Sequence, residues 1–85
     1  MYLHLGKGWV IRGSEIIAIF DLDNSSQSHI TRKFLSNAEK EHQVINAAED
    51  IPKSFVVTEH ENTRRVYLSQ LASATLLKRW ESGGL

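Results

Sequence analysis

Two groups of side chains in this sequence could bind a metal ion. Asp21 and Asp23 flank one residue of an extended segment, so their carboxylates lie on the same side and could hold a divalent cation. Glu39 and His42 lie three residues apart, a spacing typical of carboxylate–histidine ligand pairs on a helix. Both have simpler interpretations, since the aspartates can cap the helix that follows and the Glu39–His42 pair has no counterpart on a second helix. The other three histidines show no ligand spacing, and we expect neither a metal nor another cofactor.

The residue sets that most enzymes use for nucleophilic catalysis are also lacking. The 85 residues include no cysteine, which excludes thiolate catalysis, disulfides and cysteine-ligated zinc. None of the serines lies on a glycine-flanked turn between a strand and a helix. Gly-Lys-Gly at residues 6–8 lacks the glycine spacing of a phosphate loop, and a strand pattern follows it. The sequence therefore predicts a protein that is not an enzyme.

Basic residues are more informative, because several of them share one face of a predicted helix. Arg32, Lys33 and Lys40 lie on its polar side, and Lys33 and Lys40 are seven residues apart, two turns along the same face. Such a stripe could contact the phosphates of DNA. The alternative is an ordinary solvated face, since Glu39 and Glu41 lie among these cations.

The rest of the charge pattern gives weaker support. Arg64 and Arg65 are adjacent at the start of a predicted strand, so their side chains should point to opposite faces. Ten Lys and Arg residues balance ten Asp and Glu residues, so no globally basic chain favours nucleic acid. Any binding to DNA must therefore depend on a local patch or on several copies acting together.

Short strands and two helices must position these residues. The runs at residues 3–5 and 9–11 flank the glycine turn and predict a hairpin. The uninterrupted apolar run at 16–20 is typical of a strand covered on both faces. Apolar residues recurring at four-residue intervals predict an amphipathic helix over residues 26–42.

The second half of the chain continues the same pattern. We predict a short strand at residues 44–45 and two strands, at 55–58 and 65–68, joined by a turn at 59–62. A helix at 71–80, ended by two glycines, closes the domain. The order is β-β-β-α-(β)-β-β-α. This order predicts a single small α+β domain over residues 1–85 with antiparallel or mixed strands.

The apolar strands also predict self-association. Two helices are too few to cover both faces of a five- or six-stranded sheet. A chain of this length also buries only about 60–65% of the surface that its unfolded form exposes. A second copy is the simplest cover for the remaining apolar surface, so we expect a homo-oligomer. The residues expected at its interface are Trp9, Ile17, Ile19 and Val56.

The sequence also bears on location. No apolar run approaches the roughly 18 residues that span a bilayer. The first residues lack the basic region and long apolar stretch of a signal peptide. We therefore expect a cytoplasmic protein that does not bind a membrane.

Five segments together give the sequence a family resemblance. They are MYLHLG at residues 1–6, EIIAIFDL at 15–22, PKSFVVT at 52–58, VYLS at 66–69 and TLLKR at 75–79. With them, the chain resembles the RemB (YaaB) branch of the extracellular matrix regulatory protein family, a small bacterial family that also contains RemA. The resemblance covers essentially the whole chain.

The resemblance implies a cytoplasmic, DNA-associated transcription regulator of biofilm-matrix genes. The fold of RemA-type members resembles the LytTR DNA-binding domain, and their subunits assemble into rings that bind DNA through basic residues on the outside. Such a ring agrees with the self-association expected from the apolar strands. It would let a weak basic patch contact one DNA molecule several times. The resemblance also allows co-assembly with a RemA-type partner.

One segment departs from the family pattern. RemA-type members carry an arginine-rich loop, implicated in DNA binding, just before the strand that corresponds to residues 55–57. Here Lys53 is the only basic residue of the segment 47–53, which also contains Glu49 and Asp50. Arg32 and Lys33, in contrast, fall where RemA-type members place a basic pair early in the long helix.

The leading hypothesis is therefore a homo-oligomeric regulator that binds the phosphate backbone of double-stranded DNA. The resemblance implies that the oligomer is a ring. The predicted phosphate contacts are Arg32, Lys33, Lys40 and Lys53, with Arg64 and Arg65 as weaker candidates. The alternative is an oligomeric protein-interaction module without direct DNA binding, which the acidic residues of the segment 47–53 favour.

Overall fold

A computed structural model of the chain describes residues 1–22 and 29–83. The strands are β1 (Tyr2–Gly6), β2 (Trp9–Arg12), β3 (Ile16–Asp21), β4 (Val44–Asn46), β5 (Ser54–His60) and β6 (Thr63–Ser69). The helices are α1 (His29–Lys40) and α2 (Ser73–Glu81), and a short 3-10 helix (Gly13–Glu15) joins β2 to β3. The predicted order of elements and the α+β class are confirmed. The predicted start of the first helix, at residue 26, and Asp23 lie outside the described residues.

The strands form two sheets, where the sequence suggested one sheet of five or six strands. β1 pairs with β2, and the larger sheet has the order β3-β5-β6-β4. All pairs are antiparallel except that of β4 with β6. The 3-10 helix separates β2 from β3, and the hairpin β1–β2 packs on the larger sheet instead of extending it.

One face of the larger sheet is covered by the hairpin and by α2. Leu3 and Leu5 of β1 have no exposed surface and pack with Val56 of β5 and Tyr67 of β6. Leu76 of α2 completes this cluster. The alternation of polarity in β1 therefore reflects one face turned to the core and one to solvent.

A buried serine ties the hairpin to the larger sheet. The hydroxyl of Ser69 donates a hydrogen bond to the carbonyl of Leu5 at 2.7 Å and accepts one from the N–H of Leu71 at 3.1 Å. We expect Ser69→Ala to lower the free energy of unfolding by about 1–3 kcal/mol, because both backbone groups lose their hydroxyl partner in the interior. Urea unfolding measures this, with the exposed Ser36→Ala as a control expected within about 0.5 kcal/mol of the original chain. Equal midpoints for the two variants would contradict the prediction.

The opposite face of the larger sheet is covered by α1. Phe34, Leu35 and Ala38 of this helix pack on Phe55 of β5 and its neighbours. The ring of Phe55 stacks on Phe20 at 4.8 Å and on Phe34 at 6.1 Å between ring centroids. The four-residue apolar spacing of the sequence thus marks the buried stripe of the helix.

Glu39 and His42 both take part in the hydrogen bonds that end α1. The N–H of His42 donates to the carbonyl of Glu39 at 3.0 Å, and the N–H of Gln43 donates to the carbonyl of Ala38 at 2.9 Å. His42 has a φ of 57°, in the left-handed region. These features form a Schellman motif, which ends α1 at Lys40, two residues before the predicted end.

The prediction that β3 is covered on both faces is wrong. β3 is an edge strand of the larger sheet, and its register with β5 shifts between Ile16 and Ala18. Ile17 is 54% exposed and Phe20 is 40% exposed. A tight turn at Glu61 and Asn62, both with positive φ, joins β5 to β6, so these two strands pair. β5 therefore lies between β6 and β3, and β3 takes the outer position.

Candidate nucleic-acid interface

The outward face of α1 carries three exposed cations. Its apolar residues pack on the sheet, so at 3.6 residues per turn Lys33 and Lys40 point away from the sheet. Arg32 lies on the flank of the helix, on the same side as Glu39. The structure therefore places the three predicted helix cations on one continuous exposed surface, which we call the α1 basic face.

The charge balance of the α1 basic face is positive. Three cations and one carboxylate, Glu39, lie within His29–Lys40. Arg32, Lys33 and Lys40 form no salt bridge with any residue of the described ranges 1–22 and 29–83. Hydrated cations of this kind can exchange their solvent for phosphate oxygens and release the counterions of DNA.

The structure separates Arg64 from Arg65, as their adjacency on a strand predicts. Arg64 lies on the α1 side of the sheet, at the rim of a shallow apolar depression that Ile17 and Phe34 also line. Its guanidinium is 3.4 Å from a carboxylate oxygen of Glu59, and both side chains are about half exposed. Such a pair is weak, so Glu59 lowers the local charge without holding Arg64 tightly. Arg65 lies on the opposite side of the sheet.

Lys53 lies at the far end of the sheet from Arg64. It is exposed just before β5, and its N–H donates to the carbonyl of Ser69 at 2.8 Å. Glu59 is the partner of Arg64 across the strands, and Lys53 lies six residues before Glu59. The separation along the sheet is therefore roughly 20 Å at about 3.4 Å per residue. One protomer does not bring all six predicted phosphate contacts into a single patch.

A polar depression forms where the hairpin β5–β6 meets the 3-10 helix. His60 Nδ1 lies 3.3 Å from Glu15 Oε2, and His60 Nε2 lies 3.6 Å from Glu61 Oε1. Arg65 lines the same depression. Sequence reasoning missed this contact because 45 positions separate Glu15 from His60. Across the described residues, no three His, Cys, Asp or Glu side chains meet in an arrangement that could hold a metal ion.

Two of the four cations outside the predicted contacts lie on the hairpin β1–β2. Lys7 lies at the turn of the hairpin β1–β2, and Arg12 is exposed at the end of β2. Trp80 of α2 fixes the end of this hairpin, since its indole N–H donates to the carbonyl of Gly13 at 3.0 Å. The signal that sequence reasoning could have used is the absence of Asp and Glu from residues 1–14.

The four residues predicted at an oligomer interface have different surroundings. Trp9 is partly exposed and packs edge-on against Tyr67, and Ile17 is exposed on β3. Ile19 is half-buried beside α2. Val56 is wrong as an interface residue, because it is completely buried in the core of its own chain.

Helices long and apolar enough to cross a membrane are absent from the part of the chain that the structure describes.

Comparison with known proteins agrees with the resemblance in the sequence. Residues 2–80 match the RemA-like family, described as extracellular matrix regulatory protein A-like. The chain is 38% identical over 79 residues to extracellular matrix regulatory protein B of Bacillus subtilis strain 168, which covers 93% of this chain and 89% of that protein. The chain therefore belongs to the RemA-like family of extracellular matrix regulatory proteins.

Proposed function

We propose that the protein is a non-enzymatic regulator of extracellular matrix genes that binds double-stranded DNA as a homo-oligomer. The name of the family and of the Bacillus subtilis relative supports the regulatory part of this proposal. The observation that carries the DNA-binding part is the α1 basic face, with three exposed cations that form no salt bridge among the described residues. The proposal places the protein in the cytoplasm, where bacterial DNA lies.

The expected mode of binding is electrostatic contact with the phosphate backbone. Each neutralised phosphate contributes about −0.9 to the slope of log K against log salt, so three contacts contribute about −2.7 for each protomer. A net charge of zero gives one protomer little attraction to DNA at a distance. Affinity should therefore depend on short-range contacts and on the number of protomers that bind one duplex.

Exposed apolar surface supports the oligomeric part of the proposal. Ile17 and Phe20 leave large fractions of their side chains in solvent on β3, and Trp9 does so on β2. β3 is also an edge strand without a lysine or proline, and its register shift and terminal Asp21, which limit edge pairing, still leave Ile17 and Phe20 exposed. A second copy would cover this surface and would repeat the α1 basic face along one DNA molecule.

The double substitution Arg32→Ala, Lys33→Ala tests the α1 basic face. We expect the affinity for a generic AT-rich duplex to fall on the order of 10–100-fold at about 0.1 M salt, and the salt slope to flatten by roughly 1.8 for each protomer in contact. Fluorescence anisotropy between about 50 and 200 mM salt measures both quantities. Lys78→Ala is the control for loss of a cation outside α1, because it removes one exposed cation from α2 and should leave the slope nearly unchanged. An unchanged slope in the double variant would remove these two residues from the interface.

The second candidate function is a protein-interaction module that does not bind DNA. Glu49, Asp50 and Ile51 favour it, since all three are exposed on the loop where RemA-type members carry arginines, and Ile51 is 79% exposed. The two functions separate in the anisotropy experiment. Original protein that fails to bind duplex even at low salt would contradict the DNA-binding proposal and favour the module.

A further inference from the structure

We infer that the outer face of the hairpin β1–β2 is a second DNA-contacting surface, which enters the major groove and makes binding depend on base sequence. This inference rests on the proposed function, since it names a further surface for the same partner. None of the predicted phosphate contacts lies on this hairpin.

The outer face is formed by two cross-strand pairs. Tyr2 lies opposite Arg12, and His4 lies opposite Val10. All four side chains are exposed, whereas Leu3, Leu5 and Ile11 between them are buried in the core. A tyrosine, a histidine, a valine and an arginine thus form one row of side chains along a two-stranded ribbon.

The hairpin is held rigidly enough to present that row. Leu3 and Leu5 are completely buried behind it, and Ile11 is 5% exposed. The hydrogen bond from Ser69 to Leu5 and the one from Trp80 to Gly13 tie β1 and the end of β2 to the rest of the domain. Contacts made by the outer face would therefore need little ordering of the backbone.

The charge of the hairpin is complementary to a polyanion. Residues 1–14 contain Lys7 and Arg12 and no Asp or Glu, although the whole chain has equal numbers of both signs. Neither cation forms a salt bridge with a residue of the described ranges. The segment therefore has an excess positive charge on a surface that its own domain does not neutralise.

The turn of the hairpin places a cation at the projecting tip at some cost in stability. Lys7 has a φ of 51° and Gly8 a φ of 77°. Turns with two positive φ values favour Asn-Gly, because a residue with a long side chain is strained in the left-handed region. The turn does not select a lysine, as Glu61 in the same conformation between β5 and β6 also shows, but Lys7 places its ammonium where it would contact a phosphate beside the groove.

The dimensions and chemistry of the ribbon fit the major groove. That groove is about 12 Å wide and admits a two-stranded ribbon, whose strands lie about 4.8 Å apart. Arg12 can donate to guanine acceptors, and Val10 can contact a thymine methyl group. An anionic membrane is a poorer fit, because His4 and Arg12 interrupt the apolar side chains of Tyr2 and Val10.

The variant Lys7→Asn tests the contact at the tip. Asparagine suits the left-handed turn, so the midpoint of urea unfolding should stay the same or rise. We expect the affinity for duplex DNA to fall about two- to tenfold and the salt slope to flatten by about 0.9 for each protomer in contact. Lys78→Ala again serves as the matched loss of one cation. Equal slopes for Lys7→Asn and the original protein would overturn the tip contact.

The variant Arg12→Gln and a groove competitor test the row along the ribbon. The affinities of the original protein are measured for two duplexes of equal length, one GC-rich and one AT-rich. We expect the ratio of the GC-rich to the AT-rich affinity to fall roughly 5- to 100-fold in Arg12→Gln and so to approach one. Methyl green, which occupies the major groove, should displace the original protein, whereas the minor-groove ligand netropsin should not. Displacement by netropsin alone, or an unchanged ratio in Arg12→Gln, would overturn the inference.

The same measurements separate this inference from the proposed function. If the original protein binds no duplex, both fail. If it binds duplex and loses affinity in Arg32→Ala, Lys33→Ala but not in Lys7→Asn or Arg12→Gln, the proposed function stands and the inference fails. Binding to phosphatidylserine vesicles that the hairpin variants lose, with unchanged binding to DNA, would also overturn it in favour of a membrane surface.

Discussion

Replacing Phe55 with alanine should lower the free energy of unfolding by about 3–5 kcal/mol. Its side chain is 1% exposed and lies where α1 meets the larger sheet. Truncation would remove two ring contacts, with Phe20 and Phe34, and leave a cavity between the layers. A domain of this length has a total stability of only about 4–13 kcal/mol, so the variant should lose a substantial share of it.

Urea unfolding at one fixed protomer concentration measures the effect, because assembly would add stability that depends on concentration. Phe20→Ala is the matched control, since the Phe20 ring stacks on the same residue but is 40% exposed. We expect this control to cost about 1–2 kcal/mol. Equal costs for the two variants would contradict the prediction that the buried ring of Phe55 contributes more to stability than the partly exposed ring of Phe20.

The parts of the fold that sequence predicted are those decided by neighbouring residues. The Gly-Lys-Gly turn, the apolar spacing of α1 and the turn between β5 and β6 each leave a local signature, and each element lies close to its predicted place. Differences at the ends have local causes as well. His42 takes a left-handed conformation that stops α1, and a histidine at this position is less recognisable in a sequence than a glycine.

The predictions from sequence failed where the structure depends on pairing between segments that are distant in the chain. The apolar run at residues 16–20 is equally compatible with a covered central strand and with an edge strand that leaves apolar side chains exposed. Only the pairing of β5 with both β3 and β6 decides between them. The contact between Glu15 and His60 depends on the same pairing, so no local pattern could have indicated it.

The placement of the predicted cations was predictable within one helix or strand but not between elements. Helical periodicity correctly places Lys33 and Lys40 on one exposed face and strand alternation correctly separates Arg64 from Arg65. The distance of Lys53 from Arg64, and the outer face of the hairpin, follow only from sheet register and from the turn at the 3-10 helix. Repetition of one protomer around an oligomer could bring these separated cations to the same duplex.

Replacing Ile17 with glutamine should therefore reduce the apparent affinity for DNA by about 10²–10⁴-fold, the range by which multivalent contact exceeds single contacts. Ile17 is exposed on the edge strand β3, so its replacement removes little packing within one chain. Between two copies, a buried glutamine without partners would oppose association. The variant should remain folded by circular dichroism and should sediment as a smaller species than the original protein. All cations of the α1 basic face remain, so a loss of affinity would come from loss of assembly.

Ile51→Gln is the control that makes this experiment decisive. Ile51 is 79% exposed on the loop before β5 and undergoes the same substitution, but β5 begins opposite Asp21, so Ile51 lies at the other end of β3 from Ile17. We expect it to keep both the assembled mass and the affinity for DNA. If Ile17→Gln keeps the assembled mass, β3 is not the assembly surface. If it becomes monomeric and still binds DNA with unchanged affinity and salt slope, each protomer binds DNA independently, and the α1 basic face would be sufficient without repetition.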